Sequence, residues 1–232
     1  MRMKVAVVSD THGIDFKIPK CDLLVHCGDW SDLKIQRDEE LMWCFLHRFL
    51  SKVENSSCGY FIFIAGNHDL ITLTENFESR IKDLARKLCP HLQVYYLNNS
   101  SVIINDIKFW GSPVTQQINP KFKYWAHETN TPIYEIPDDT DVVITHQPPK
   151  YKGLGTTYWL DKSGLSNNYG SEELYSALLK TEAKYHFCGH IHTGQHRFTT
   201  YENEVGTKGI NCSLLNEEYR MQYKPFTLTM NI

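Results

Sequence analysis

The chain has 232 residues, a formal charge of −3, 41% hydrophobic residues and 22% charged residues. That balance excludes a disordered chain, a coiled coil and a collagen-like repeat, and the length suits a single domain over 1–232. No apolar run reaches the ~18 residues of a membrane-crossing helix, and the mildly acidic charge gives no overall basic footprint for nucleic acid.

The seven cysteines contain no CxxC pair. They read as reduced core thiols of a cytoplasmic protein rather than as a zinc knuckle or a disulfide framework. The start, Met1-Arg2-Met3-Lys4-Val5, enters a strand-like run without the features of a signal peptide.

In chain order, residues 3–9 (MKVAVVS) form a nearly continuous apolar run, the pattern of a strand buried on both faces. Residues 21–26 are a second such run. Over 37–50, Leu41, Met42, Phe45, Leu46, Phe49 and Leu50 fall on one helical face. Residues 60–65 (YFIFIA) are a third buried strand. Thr72-x-x-Glu75 has the form of a capping box ahead of a helix with Phe77, Ile81, Leu84, Ala85 and Leu88, stopped by Pro90. Residues 101–105 and 108–110 flank Asn105-Asp106, a hairpin turn signal. Residues 141–145 and 185–188 are strand-like, and between them Ser171-Glu172-Glu173 opens a helix with Leu174, Ala177 and Leu178. Residues 198–201 and 205–210 suggest a second hairpin, and 225–232 a strand closing a sheet edge. The pattern predicts an α/β domain with two packed sheets and helices outside.

Five of these runs end in polar clusters: Asp10-Thr11-His12, Gly28-Asp29-Trp30-Ser31-Asp32, Gly66-Asn67-His68-Asp69, His146-Gln147-Pro148-Pro149 and Gly189-His190-Ile191-His192. Strand carboxyl ends form the ligand-binding rim of an α/β sheet, so the clusters are expected to meet there. Carboxylate oxygens mixed with imidazole nitrogens suit divalent manganese, iron, zinc or magnesium. Asp10, His12, Asp29, Asn67, His146, His190 and His192 are more ligands than one ion needs. Two ions sharing one carboxylate use them all. Asp10-x-His12 and His190-x-His192 are expected to point both side chains the same way off an extended strand end.

D-x-H, G-D-x-x-D, G-N-H-D, a lone His and G-H-x-H, in that order, resemble the signature of the calcineurin-like metallophosphoesterases, over residues 3 to about 192. The resemblance implies a four-layer α/β/β/α sandwich of two mixed sheets and a dinuclear-metal-dependent hydrolase of phosphate esters. One ion would take Asp10, His12, Asp29 and His192. The other would take Asp29, Asn67, His146 and His190, with Asp29 bridging. Two divalent ions, manganese favoured over iron, zinc or magnesium, would polarise a phosphoryl oxygen and activate water for in-line attack. His68 resembles the family's catalytic histidine, which stabilises the phosphoryl group or protonates the leaving oxygen. Asp32 would hold His68 in its useful tautomer and raise its pKa. In the alternative reading Asp32 only caps the helix that follows.

The stretch Thr145-His146-Gln147-Pro148-Pro149 and residues 211–216 (NCSLLN) look similar to the small metallophosphoesterase-domain proteins. That favours a phosphodiesterase acting on cyclic nucleotides or similar small phosphodiesters. Some of those proteins lack the first His of G-H-x-H, whereas His190 is present. The rivals are a phosphomonoesterase, a nuclease and a non-catalytic scaffold. A nucleic-acid partner is not favoured at this charge, and a scaffold is expected to have shed ligands. A protein serine/threonine phosphatase is disfavoured because Leu33-Lys34 replace the Arg-Gly of those enzymes. The expected partner is a small phosphate ester such as a nucleotide, with no membrane.

Asp69 reads as a turn or supporting residue, and Trp30 as a wall of the site or a core residue. Residues 150–170 read as a substrate-facing or solvated loop. His26, His47, His91, His127, His186 and His196 read as packed or surface histidines, with His26 near enough to the second cluster to support it.

Overall fold

The computed structural model describes residues 2–118, 125–160, 164–192 and 199–231. In the first sheet, β1 (Arg2–Val8), β2 (Leu23–His26), β3 (Tyr60–Phe63) and β4 (Gln93–Tyr96) run parallel, and β15 (Phe226–Asn231) closes the β1 edge antiparallel. The second sheet uses β5 (Ser100–Ile104), β6 (Ile107–Ser112), β9 (Val142–Thr145), β12 (Tyr185–Cys188), β13 (Thr199–Thr200) and β14 (Lys208–Asn211). Their order is β13–β14–β12–β9–β6–β5, with the four central strands parallel. Two small ribbons, β7 (Thr115–Gln116) with β8 (Glu128–Thr129) and β10 (Thr156–Leu160) with β11 (Ser166–Asn168), lie outside these sheets.

Three buried clusters separate four layers. Ala6, Val8, Leu24, Phe61 and Phe63 pack against Met42, Leu46 and Leu50 of α1 (Glu39–Glu54) and Phe77 and Ile81 of α2 (Phe77–Leu88). The alternate residues Val5, Val7, Leu23, Val25 and Ile62 face Phe109, Val142, Ile144, Phe187 and Ile210 of the second sheet. On the far side, Trp110 and Val143 meet Leu174 and Leu178 of α3 (Glu172–Leu178). Because both faces of the central strands are covered, runs such as residues 5–8 and 61–63 are apolar at successive rather than alternate positions. This is the expected α/β/β/α sandwich.

Local chemistry explains where the elements begin and end. Asp38 caps α1 by accepting from Leu41 N at 3.0 Å. The helix runs to Glu54, one turn beyond the expected stop, because Val53 is buried with Leu46 and Leu50. Burying a leucine contributes roughly 2 kcal/mol against about 1 for a cap, so packing decides the length. Asn105 and Asp106 have φ of 49° and 61° and make the expected tight hairpin turn. Ser171 caps α3 through Leu174 N at 3.1 Å.

The expected capping box at Thr72 and Glu75 does not form. Thr72 Oγ1 donates to Asp69 O and meets His127 Nε2 inside a short 3₁₀ turn, Leu70–Leu73. Asn76 then precedes α2 in a left-handed conformation. Of the expected second hairpin, 199–200 pairs with 208–209, and Phe198 lies outside the described residues. All seven cysteines are free thiols, six of them buried. Among the described residues no helix is long and apolar enough to cross a membrane.

Candidate metal centre

The carboxyl ends of β1, β2, β3, β9 and β12 bring all five clusters together. The chain leaves these strands in sharp turns rather than extended. Asp10, His12, Asp29 and His190 have φ of 52°, 43°, 56° and 67°. The Asp10 and His12 side chains therefore converge through left-handed turns, not through the alternation of a strand, and the turn at His190 sends His190 and His192 to different groups. Such a conformation costs a non-glycine residue roughly 1–2 kcal/mol, a strain that persists only where surrounding bonds enforce it. Asp10 N to Gly28 O and His12 N to Asp29 O, both 3.0 Å, do so here. Glycine is needed where the turns touch. A Cβ on Gly66 would lie 2.2 Å from Asp29 Oδ1, and one on Gly189 would lie 2.3 Å from Asp10 Oδ2.

Two groups of ligand-type atoms result, Asp10 with His12 and His192, and Asp29 with His146 and His190, each within 4.8 Å. In the first, His192 Nε2 stands 3.4 Å from Asp10 Oδ1 and 3.3 Å from His12 Nε2. In the second, His146 Nε2 stands 3.3 Å from Asp29 Oδ2 and 3.1 Å from Asn67 Oδ1. The same Asp29 Oδ2 lies 3.7 Å from His12 Nε2, so this carboxylate faces both groups. All seven residues are buried except His190, which is half-buried.

The outer nitrogens are committed to main chain. His146 Nδ1 meets Cys27 O at 2.8 Å, and His192 Nδ1 meets Asn216 O at 2.9 Å. Both rings thereby turn Nε2 inward, the usual arrangement around metal-bound histidine. Asp10 Oδ2 accepts from Ser213 Oγ at 2.7 Å and from His190 N at 2.9 Å. Asn211 Nδ2 holds Ile191 O at 2.8 Å. Asp69 makes no ligand contact and accepts instead from the N–H groups of Asp29, Trp30, Ser31 and Gly66. It thus clamps the second and third clusters together.

The electrostatics fit cations. Burial works against protonating His146 and His192, but the Asp29 and Asp10 carboxylates outweigh it and lift each to about 9. Burial drives His12 down to about 4 and His190 to about 3. Asp29 is buried, yet the neighbouring imidazoles hold it well below the usual carboxylate range. Each group thus pairs one imidazole that draws a proton with one that keeps its lone pair. Among the described residues, His190 Nε2 and His12 Nδ1 are buried without a hydrogen-bond partner. Converging nitrogen and carboxylate donors with an orphaned imidazole are the donor set that divalent transition ions complete.

His68 sits beside the groups, its N–H donating to Asp29 Oδ1 at 2.8 Å and its ring edge-on to His12 at 5.0 Å. The expected Asp32–His68 pair does not form. Asp32 Oδ1 accepts from Lys34 N at 2.9 Å, and the side chain on His68 Nδ1 is Gln36, with Oε1 at 3.1 Å. Nor does Asp32 cap a helix, since Asp38 does. Burial lowers the His68 pKa, helped by the charges of His146 and His192 and opposed by Asp29 and Asp10. The expected upward shift is therefore reversed.

Trp30 belongs to the core, stacked near Phe77 with Nε1 donating to Ile64 O at 3.1 Å. His26 supports the floor, its Nε2 3.0 Å from Thr11 Oγ1. His186 is packed between Thr145 Oγ1 and Tyr201 OH. His196 lies outside the described residues.

The groups open into a cavity of about 370 Å³ walled by Ile118, Trp125, Glu128, Ile191, Glu217 and Tyr219. Tyr219 stands edge-on to His12 and His192, and Trp125 packs on His68 at 3.8 Å. Ala126 N donates to Asn67 O at 2.8 Å and fixes that wall. None of the described part of 150–170 lines this cavity, and Tyr151 stacks on Tyr175 instead. Sequence reading missed Gln36, Trp125, Ser213, Asn216 and Tyr219 as site residues. Only the NCSLLN stretch gave a signal, for Ser213 and Asn216.

The calcineurin-like phosphoesterase profile matches residues 3–194. An Emericella nidulans protein named probable rhamnogalacturonate lyase C is 32% identical over 203 residues, covering 83% of this chain and 17% of that protein. A Caenorhabditis elegans UPF0046 protein is 28% identical over 232 residues, covering 96% of this chain and 73% of that one. Human metallophosphoesterase domain-containing protein 1 is 28% identical over 213 residues, covering 81% and 60% respectively. The chain therefore spans 17% to 73% of these relatives' own lengths. With a profile match over most of its length and all five motifs meeting at one rim, the chain belongs to the calcineurin-like phosphoesterase family.

Proposed function

We propose that the chain is a metal-dependent phosphodiesterase acting on small phosphodiesters, cyclic nucleotides included. The observation that carries this reading is Asp29 Oδ2, 3.3 Å from one ligand group and 3.7 Å from the other. Asp10, His12, Asp29 and His192 would hold one divalent ion, and Asp29, Asn67, His146 and His190 a second. Manganese is favoured, with iron, zinc or magnesium as alternatives. When bound, such a pair polarises phosphoryl oxygen and supplies a nucleophile at neutral pH. The chain's own residues hold the ester in the cavity, whose volume of about 370 Å³ suits a small substrate. His68, on the cavity wall, stabilises the phosphoryl group or meets the leaving oxygen. The likeness to the human metallophosphoesterase-domain protein supports the phosphoesterase part of this reading. The free thiols support a reducing compartment such as the cytoplasm.

The test is hydrolysis by manganese-loaded protein of bis-p-nitrophenyl phosphate against p-nitrophenyl phosphate, 2′,3′- and 3′,5′-cyclic nucleotides and single-stranded DNA. Diesters are expected to outrun the monoester, and His68→Ala is expected to lose more than ~100-fold in rate. A preference for the monoester or for DNA would replace the diester assignment with a rival from the same family. An unchanged His68→Ala rate on a poor leaving group would remove His68 from the chemistry.

A further inference from the structure

Gln36 lies outside every motif of the sequence, in the loop between Asp32 and the α1 cap Asp38. Two successive turns build that loop, with Lys34 N on Asp32 Oδ1 at 2.9 Å, Ile35 N on Asp32 O at 3.1 Å and Asp38 N on Ile35 O at 2.8 Å. Gln36 is therefore presented from a braced segment, and its Oε1 stands 3.1 Å from His68 Nδ1. In the orientation seen, Gln36 presents its carbonyl oxygen, which only accepts, so Nδ1 carries the hydrogen of this bond; the reversed amide would pair with the opposite tautomer. His68 Nε2 makes no hydrogen bond among the described residues, while the ring lines the cavity beside Asp29 and Asn67. The His68 backbone is already tied down through its N–H to Asp29 Oδ1. What remains is rotation of the imidazole, and Gln36 is the polar group that opposes it.

We propose that Gln36 is a positioning residue for His68. Its neutral carbonyl selects the Nδ1–H form and keeps Nε2 as the nitrogen presented to the phosphate ester. An amide does this without adding a third negative charge beside Asp10 and Asp29. The proposal rests on the phosphoesterase reading for its consequence in catalysis, but not for its geometry.

The test compares wild type, Gln36→Met and Gln36→Glu as metal-loaded full chains. Methionine matches the shape and lacks the acceptor, whereas glutamate keeps an oxygen in the same place. Gln36→Met is expected to lower kcat about tenfold on a diester with an alkoxide leaving group, with KM within about twofold. The loss is expected to shrink to under about threefold on bis-p-nitrophenyl phosphate, whose leaving group needs little help. Gln36→Glu is expected to restore most of kcat, and Gln36→Met added to His68→Ala is expected to cost nothing more. In zinc-loaded protein, ¹⁵N NMR is expected to show a protonated His68 Nδ1 in wild type and a mixture of tautomers in Gln36→Met.

An unchanged tautomer would overturn the proposal, as would equal losses in the methionine and glutamate variants or an additive loss with His68→Ala. The NMR readout requires no turnover. A wild type that hydrolyses no phosphate ester would sink the functional reading, while the tautomer would still decide the positioning role.

Discussion

The two ligand groups are supported in different ways. The Asp29 group rests on main chain and on one buried carboxylate. Cys27 O orients His146, and Asp69 gathers four N–H groups from the turns carrying Asp29 and Asn67. The Asp10 group is closed from the far end of the chain. Ser213, 203 positions downstream, donates to Asp10, and Asn216 O orients His192. Support from a main-chain carbonyl survives most substitutions, because every residue supplies one. Support from a hydroxyl is lost with a single atom. A substitution at Ser213 can therefore tune the Asp10 group, whereas around the Asp29 group the side chain open to substitution is the Asp69 clamp.

The strongest way to break this contrast is to remove what the groups share. Asp29→Asn is expected to lower kcat/KM more than ~100-fold and to reduce bound metal from two ions to one or none per chain by elemental analysis. Retention of two ions would show that Asp29 does not bridge. Next is the clamp. Asp69→Asn places an amide NH₂ against backbone donors, leaving buried N–H groups without an acceptor. A loss of about 2–3 kcal/mol in urea unfolding is expected. Burial and the Asp29 charge push Asp69 up to about 7 in spite of its four bonds, so the position is already poised between two needs.

A paired substitution sharpens the contrast. Ser213→Ala is expected to weaken one of two ion affinities about tenfold in calorimetric titration and to leave the other alone. Cys27→Ala keeps its carbonyl and is expected to change neither affinity by more than about threefold. Equal effects would show that the two kinds of support do not differ.

The smallest effect expected is on pH dependence. Burial drives His186 down to about 3, so the fold holds this imidazole neutral while the unfolded chain binds a proton near 6.5. Its contribution to stability is present above about 6.5 and is lost as the pH falls from there toward about 3. The unfolding midpoint is expected to drop by a few degrees between pH 7 and 5. His186→Gln, which has no such proton to gain, is expected to show a shallower slope.

Much of this architecture is legible along the chain. A parallel strand covered on both faces is an unbroken apolar run, so 3–9, 60–65 and 141–145 announce themselves, and a polar cluster at the end of each is conspicuous. Together with 21–26 and 185–188, those runs brought Asp10, Asp29, Asn67, His146 and His190 to one rim, because the strands within each sheet are parallel and the two sheets pack with these ends together. The hairpin at Asn105-Asp106 was equally readable, since its turn demands residues that tolerate positive φ.

Where the chain turns left-handed, residue spacing no longer reports side-chain direction. That is why Asp10 and His12 converge by a route the strand pattern does not describe. The side chain expected on His68 was Asp32, but the folded loop places Gln36 there. Asp32 and Gln36 are both polar, but a turn spends the Asp32 carboxylate on Lys34 N and delivers Gln36 instead. Residue types and strand order determined the candidate ligands and the layers. Loop closure across the two sheets decided which neighbours orient them, because those bonds join residues as much as 203 positions apart and leave no local period to read.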